Sequence, residues 1–205
     1  MSAAHLEVLV EEPSMEAFLA ALLPRLLPAD RTFSVHPFQG KADLMDKLLD
    51  RLRGYASWLP KDWRIVVVVD RDDDDCVALK AQLEAMAKKA RLRTRSGGGK
   101  QPWQLVNRIA IAELEAWYFG DWPAVCDAYP RVSERVVGQA GYRNPDAIVG
   151  GTWEAFERVL QRHGYFRGGL GKIEVARTLG AAIDLQRNRS TSFTHFRDAV
   201  LEAVA

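Results

Sequence analysis

The stretch Ile65-Val66-Val67-Val68-Val69-Asp70-Arg71-Asp72-Asp73-Asp74-Asp75 passes through five β-branched residues and stops in five aspartates broken by one arginine. An apolar run without polar alternation suits a strand buried on both faces, as in the middle of a parallel sheet with helices above and below. The aspartates then fall at its carboxyl end, the edge at which open α/β sheets carry their ligand chemistry.

Outward from this strand, the pattern alternates. Upstream, Leu6 to Val10 predicts a first strand, closed by Glu11, Glu12 and Pro13. With Ser14 as N-cap, Met15, Phe18, Leu19, Leu22 and Leu23 form one helical face until Pro24 and Pro28 break it. Thr32 to Phe38 predicts a peripheral second strand, and Leu44, Met45, Leu48, Leu49 and Leu52 a second amphipathic helix ending before Pro60. Downstream, Cys76, Leu79, Leu83 and Met86 mark a third helix reaching about Ala90, and Val106 to Ala112 a fourth strand. Strand and helix in strict succession imply a mostly parallel sheet with right-handed crossovers. Beyond Gly120 strands disappear, and cap-like starts at Asp121, Asn144 and Thr152 precede a last helix from about Thr191. The predicted organisation is an α/β core over residues 1–120 and a helical region over 121–205 packed on it, together one structural unit.

Bulk properties exclude more than they establish. In 205 residues, 28 Lys plus Arg against 27 Asp plus Glu leave the overall charge silent about a polyanionic partner. Cys76 and Cys126 stand far apart with no metal-ligand spacing, which suits a reducing compartment. The beginning of the chain lacks a basic segment followed by a long apolar core, and no apolar run approaches the roughly 18 residues of a membrane span. The expectation is a soluble cytoplasmic protein with no membrane partner.

Carboxylates follow each of the core strands: Glu11 after the first, Asp70 and Asp72 after the central one, Glu113 and Glu115 after the fourth. If these strands are parallel neighbours, all of them emerge at one edge. Asp70 and Asp72, two apart in an extended segment, would point to the same side. Two unit charges about 4 Å apart repel by roughly 4 kcal/mol at an effective dielectric near 20, so clustered acids without basic partners call for a cation. Oxygen ligands favour Mg²⁺ or Mn²⁺ over zinc. Asp73, Asp74 and Asp75 read instead as caps of the third helix, Arg71 as a local neutraliser, and a helix-start carboxylate is the plain alternative for Glu113.

These residues resemble the toprim domain of topoisomerases, primases and nucleases of the overcoming-lysogenization-defect type: a strand ending in Glu11, then a later strand ending in Asp70-Arg71-Asp72. More closely, V-E-x-P-[ST]-x-E-A-F-L (Val10 to Leu19), D-x-D-x-D-D-C (Asp70 to Cys76), E-L-E-A-W (Glu113 to Trp117) with Gly120-Asp121, and S-x-S-F (Ser190 to Phe193) resemble the bacterial family called domain of unknown function 4276, grouped with toprim-like folds. The resemblance implies a toprim-like α/β fold and Mg²⁺-dependent phosphodiester chemistry. Glu11 would be general acid or base and lie near the metal, Asp70 and Asp72 would hold the ion, and Glu113 would join them. It also implies an ATPase partner of the ABC or AAA type in prokaryotic defence loci. Toprim sequences usually carry Gly after the glutamate; here Glu12 takes that place. This departure favours the competing expectation, a non-catalytic module that contacts an ATPase or nucleic acid. A phosphatase or phosphotransferase acting on a small nucleotide is a third.

Residues 88–100 carry Lys88, Lys89, Arg91, Arg93, Arg95 and Lys100 with no acid, and include three glycines. Such a run can track a DNA or RNA backbone, or form a solvated helix end and loop. Gln101 stands where a phosphate-binding loop needs its hydroxyl, so Ser96 to Lys100 is not one. Lys172, in a Gly-rich approach to a helix, is placed to meet a phosphate or is an ordinary surface lysine. His5, His36, His163 and His195 are scattered without ligand spacing.

Overall fold

The computed structural model describes residues 2–99 and 101–205. Its elements are β1 (His5–Val10), α1 (Pro13–Leu26), β2 (Thr32–Pro37), α2 (Lys41–Trp58), β3 (Trp63–Asp70), α3 (Cys76–Lys89) and β4 (Leu105–Ala110), then α4 (Glu115–Gly120), α5 (Trp122–Ala128), α6 (Thr152–Arg162), α7 (Lys172–Ala182) and α8 (Thr191–Val204). Short 3₁₀ turns join some of them. The protein is thus α/β, with a four-stranded sheet in the order β2-β1-β3-β4, every pair parallel, and a mostly helical second half.

The apolar run of β3 is explained by its two faces. Val66 and Val68 pack with Leu6, Val8 and Val10 against α1 and the later helices. Ile65, Val67 and Val69 pack with Leu9 against α2 and α3. All five side chains from Ile65 to Val69 are fully buried, a gross contribution of roughly 8 kcal/mol at about 1.5 kcal/mol or more per side chain. The first cluster continues without a break from the sheet through Trp117, Phe156 and Leu179 to Phe196, so the helical half lies on one face of the sheet. On that face α7 crosses α1 closely: a Cβ on Gly180 would stand 2.3 Å from the Phe18 carbonyl oxygen.

Helix boundaries follow local chemistry. Asp75 caps α3, its Oδ1 accepting from the Ala78 N–H at 2.7 Å, and Lys88 and Lys89 lie in the last turn, where the helix dipole favours cations. Pro13, not Ser14, opens α1, and Glu12 is the N-cap residue. That helix also runs past Pro24 to Leu26, because the proline sits in the last turn while the neighbouring leucines stay buried. Gly151 rather than Asp or Thr precedes α6, and α4 begins at Glu115, two residues later than Glu113. No helix among the described residues is long and apolar enough to cross a membrane.

Candidate functional site

Parallel pairing brings the strand ends to one edge. Asp70 ends β3, which lies between β1 and β4. It is 7% exposed, and its buried Oδ1 has no hydrogen-bond partner. Glu11 follows β1, with Oε2 accepting from the Asp70 N–H at 3.2 Å. Glu115, at the start of α4, is buried. Burial and then the neighbouring charge of Asp72 push Glu11 up to about 7, against the pull of Lys41. Burial pushes Glu115 up to about 8, with Lys172 opposing and Glu113 adding to it. Asp70 is held well above the ordinary carboxyl range by burial first, then by Glu11, Glu115, Glu12 and Asp72. Protons and water-exposed cations are the means by which such a cluster survives without donors.

Asp72 is at the mouth of the cluster, oriented differently from the extended geometry predicted for it. It has φ 48°, so the chain leaves the strand direction there, and Asp70 and Asp72 do not share a side by strand periodicity. The turn is held by Arg71 N–H to the Ala110 carbonyl at 2.9 Å and Asp72 N–H to the Ala112 carbonyl at 2.8 Å. The neutralising charge comes from Lys41 rather than Arg71: Nζ lies 2.6 Å from Asp72 Oδ2 and 2.9 Å from Asp74 Oδ2. Arg71 donates through Nε to the Asp72 carbonyl instead.

Glu113 and Glu115 divide as a helix start requires, with Glu115 the member facing the acids. Glu113 Oε2 accepts from Thr152 Oγ1 and from the Trp153 N–H, both at 2.8 Å, and so fastens the beginning of α6. The assignment of Glu113 to the metal set therefore meets a competing use of that carboxylate, whereas Glu115 is buried beside Asp70. A groove of about 570 Å³ runs between this junction and the β3–α3 turn, lined by Arg71, Asp72, Glu113, Asp146 and Glu154 among others.

Lys172 opens α7 and reaches the same edge. Its Nζ lies 4.3 Å from the centre of the Trp153 ring and 3.9 Å from Glu12 Oε1, within cation–π and ion-pair range. Glu12 itself, where a glycine was the expected residue, has φ −144° and ψ 163°. That is extended backbone open to any residue, so nothing local is strained by the absence of glycine. Glu12 also accepts a short hydrogen bond from Ser14 Oγ.

The basic stretch is elsewhere. Helix α3 carries the chain back from the carboxyl edge, and Arg93 then meets the beginning of β4, its carbonyl accepting from the Gln104 and Leu105 N–H groups. Lys88, Lys89, Arg91, Arg93 and Arg95 therefore lie toward the amino edge, separated from the acids by the length of a strand, on the order of 20 Å. Arg95 is bound to Glu202 at 2.6 and 2.8 Å, and Trp103 also donates to Glu202, as a half-buried anchor. Lys100 lies outside the described residues.

A second polar cluster gives no sequence signal beyond one acid in an apolar strand. Glu7 on β1 is 6% exposed. Its Oε2 lies 2.5 Å from His36 Nε2 and accepts from Tyr55 OH at 2.8 Å, and Oε1 lies 3.2 Å from His5 Nε2. The cluster floors a cavity of about 390 Å³ closed by Arg51, Tyr55 and Trp58 of α2.

The late motifs are structural. Trp117 Nε1 donates to Ser192 Oγ at 2.9 Å, and Asp146 receives Ser190 Oγ, Ser192 Oγ and the Thr191 N–H at 2.7, 3.2 and 2.6 Å. Gly120 is demanded by Asn188, whose Oδ1 would stand 2.0 Å from a Cβ there. Asp121 is fully buried and paired with Arg187.

Fold and site together define an α/β protein with a carboxylate cluster at the carboxyl edge of a parallel sheet. Residues 10–201 match the family described as Domain of unknown function (DUF4276), and the chain belongs to that family. No curated protein and no solved structure matches it.

Proposed function

We propose that the acidic edge carries out metal-dependent phosphodiester chemistry on nucleic acid, in the manner of a toprim-like nuclease. The observation that carries this reading is the Asp70 Oδ1 oxygen, buried without a donor at the centre of a carboxylate cluster. Structural acids in protein interiors have partners; an acid left without one suits a site that takes up a cation. Among the described residues no three Asp, Glu, His or Cys side chains stand in a ready ligand group, so an ion would gather them. The donor set fits a hard divalent cation, because it consists of carboxylate oxygens. Asp70 and Glu11 would hold Mg²⁺ or Mn²⁺, with Asp72 at the mouth and Glu115 taking the part first assigned to Glu113. When bound, the ion neutralises phosphate oxygens and acidifies water.

The chain's own groups supply the rest. Glu11, raised to about 7, exchanges a proton near neutral pH, as a general acid or base must. Lys41, Arg71 and Lys172 are the cations near the acids, and they replace the distant 88–100 stretch as candidate phosphate contacts. That stretch remains available to a longer DNA or RNA, or to an ATPase partner of the ABC or AAA type. The ordinary backbone of Glu12 removes the particular reason for favouring a non-catalytic module.

The test incubates the protein with DNA, RNA and small nucleotides in Mg²⁺ or Mn²⁺, with and without an ATPase partner, beside Asp70→Ala and Glu11→Gln. Wild-type cleavage of a polynucleotide should fall by about 10³-fold in either variant. Absence of cleavage under every condition, or cleavage by the variants at the wild-type rate, sinks the nuclease reading. Phosphate release from small nucleotides alone would move the activity to the phosphatase class.

A further inference from the structure

We propose that the Lys41 ammonium is the resident cation of the acidic edge, that a divalent ion displaces it from Asp72, and that the displaced lysine then receives a phosphate group of the substrate. This rests on the metal-binding reading above and adds an order of events to it.

The geometry is specific. Nζ lies 2.6 Å from Asp72 Oδ2 and 2.9 Å from Asp74 Oδ2, and donates to the Arg71 carbonyl at 3.1 Å, which accounts for all three of its hydrogens. The side chain is only 20% exposed. Its base is fixed beside the site by backbone contacts: Gly40, with φ 98°, turns the chain into α2, and the Gly40 N–H donates to the Glu11 carbonyl at 2.9 Å. Lys41 thus starts next to Glu11 and ends on Asp72, spanning the mouth behind which the Asp70 Oδ1 atom is left without a donor.

A divalent ion held by Asp70, Glu11 and Asp72 would face this ammonium across one carboxylate, where like charges repel and the Asp72 oxygen cannot serve both fully. The lysine is the mobile member, since only side-chain torsions hold it. Released, its amine stays tethered at the rim by the Gly40 anchor, a short swing from the position a phosphate must take against the ion. Ion loading therefore uncovers the group that binds the phosphate, and the metal-free site is kept closed to both anions and water by its own lysine.

Two measurements test this without relying on turnover. Calorimetry of Mn²⁺ into wild type, Lys41→Met and Asp72→Asn should give binding about tenfold tighter in the first variant and about tenfold weaker in the second. Methionine keeps the stem and the helix propensity, and a thermal melt confirms folding. On the wild-type protein, acylation of Lys41 by an amine reagent should accelerate when Mg²⁺ is added, while Lys47 on the same helix labels at an unchanged rate. If wild type binds Mn²⁺ and Lys41→Met binds it no more tightly, or if Mg²⁺ slows Lys41 acylation or leaves it unchanged, the displacement model is overturned while the metal site stands. If neither wild type nor Lys41→Met binds Mn²⁺, the metal-binding reading fails and takes this inference with it.

Discussion

Glu7 and Asp70 are both buried carboxylates on adjacent parallel strands, 6% and 7% exposed, yet their surroundings are opposite. Glu7 points toward α2 and is met by a phenol and two imidazoles. Asp70 is met by other acids and leaves one oxygen without a donor. Position in the sheet accounts for the contrast. A mid-strand residue faces a helix that can supply donors, whereas strand ends in a parallel sheet collect whatever each strand terminates in, and here three of them terminate in acids. The first arrangement is complete in itself, and the second is completed by a ligand.

The largest effect that separates the two regions is pH dependence. The folded acidic edge retains protons that the unfolded chain has released, because Glu11 is raised from 4.5 to about 7 and Glu115 from 4.5 to about 8. Their stabilising contribution is complete below pH 4.5 and is lost as pH rises through about 7 and 8. For fully buried Glu115 the loss is on the order of 4 kcal/mol; half-buried Glu11 adds less, since solvent screens it. Melting temperature in EDTA should fall between pH 5 and 9, and Mg²⁺ should flatten the curve. A flat or rising metal-free curve would contradict the account of the acidic edge.

Next in size is Glu7→Ala, which leaves Tyr55 and His36 without their acceptor and opens a void. Urea denaturation should show a loss of about 3 kcal/mol. A loss below 1 kcal/mol would erase the distinction between a satisfied and an unsatisfied acid. Asp70→Asn should do the reverse in metal-free protein at pH 8, raising stability by about 1 to 2 kcal/mol because a repelled charge is removed. Destabilisation of that size would mean Asp70 already has a partner. The smallest change is Tyr55→Phe, which deletes one of three contacts to Glu7 and should cost about 1 kcal/mol; an unchanged midpoint would assign Glu7 to the histidines alone.

How much of this could be read beforehand depends on how local each feature is. The β-branched run and its aspartates gave the central strand and the edge at which acids gather, because burial on two faces leaves a direct mark on composition. Lys41 gave no signal, since its contact with Asp72 is made by the β2–α2 crossover rather than by sequence proximity. The expected alignment of Asp70 with Asp72 failed at a single torsion, φ 48° at Asp72. Glu113 and Glu115 exchanged parts because α4 begins two residues later than the pattern suggested, and two residues turn a helix by about 200°. The basic stretch was recognised as basic, but only the return path of α3 shows which edge receives it.

The tie between Trp117, Ser192 and Asp146 bears on what membership of the family certifies. E-L-E-A-W and S-x-S-F identify chains whose helical half is latched to the sheet by an indole, a hydroxyl and a carboxylate. A relative could retain that latch, lose Asp70 or Glu11, and still be recognised through these two motifs. Shared architecture and shared chemistry are therefore inherited through different residues, and a survey of the family should count the strand-end acids separately from the latch.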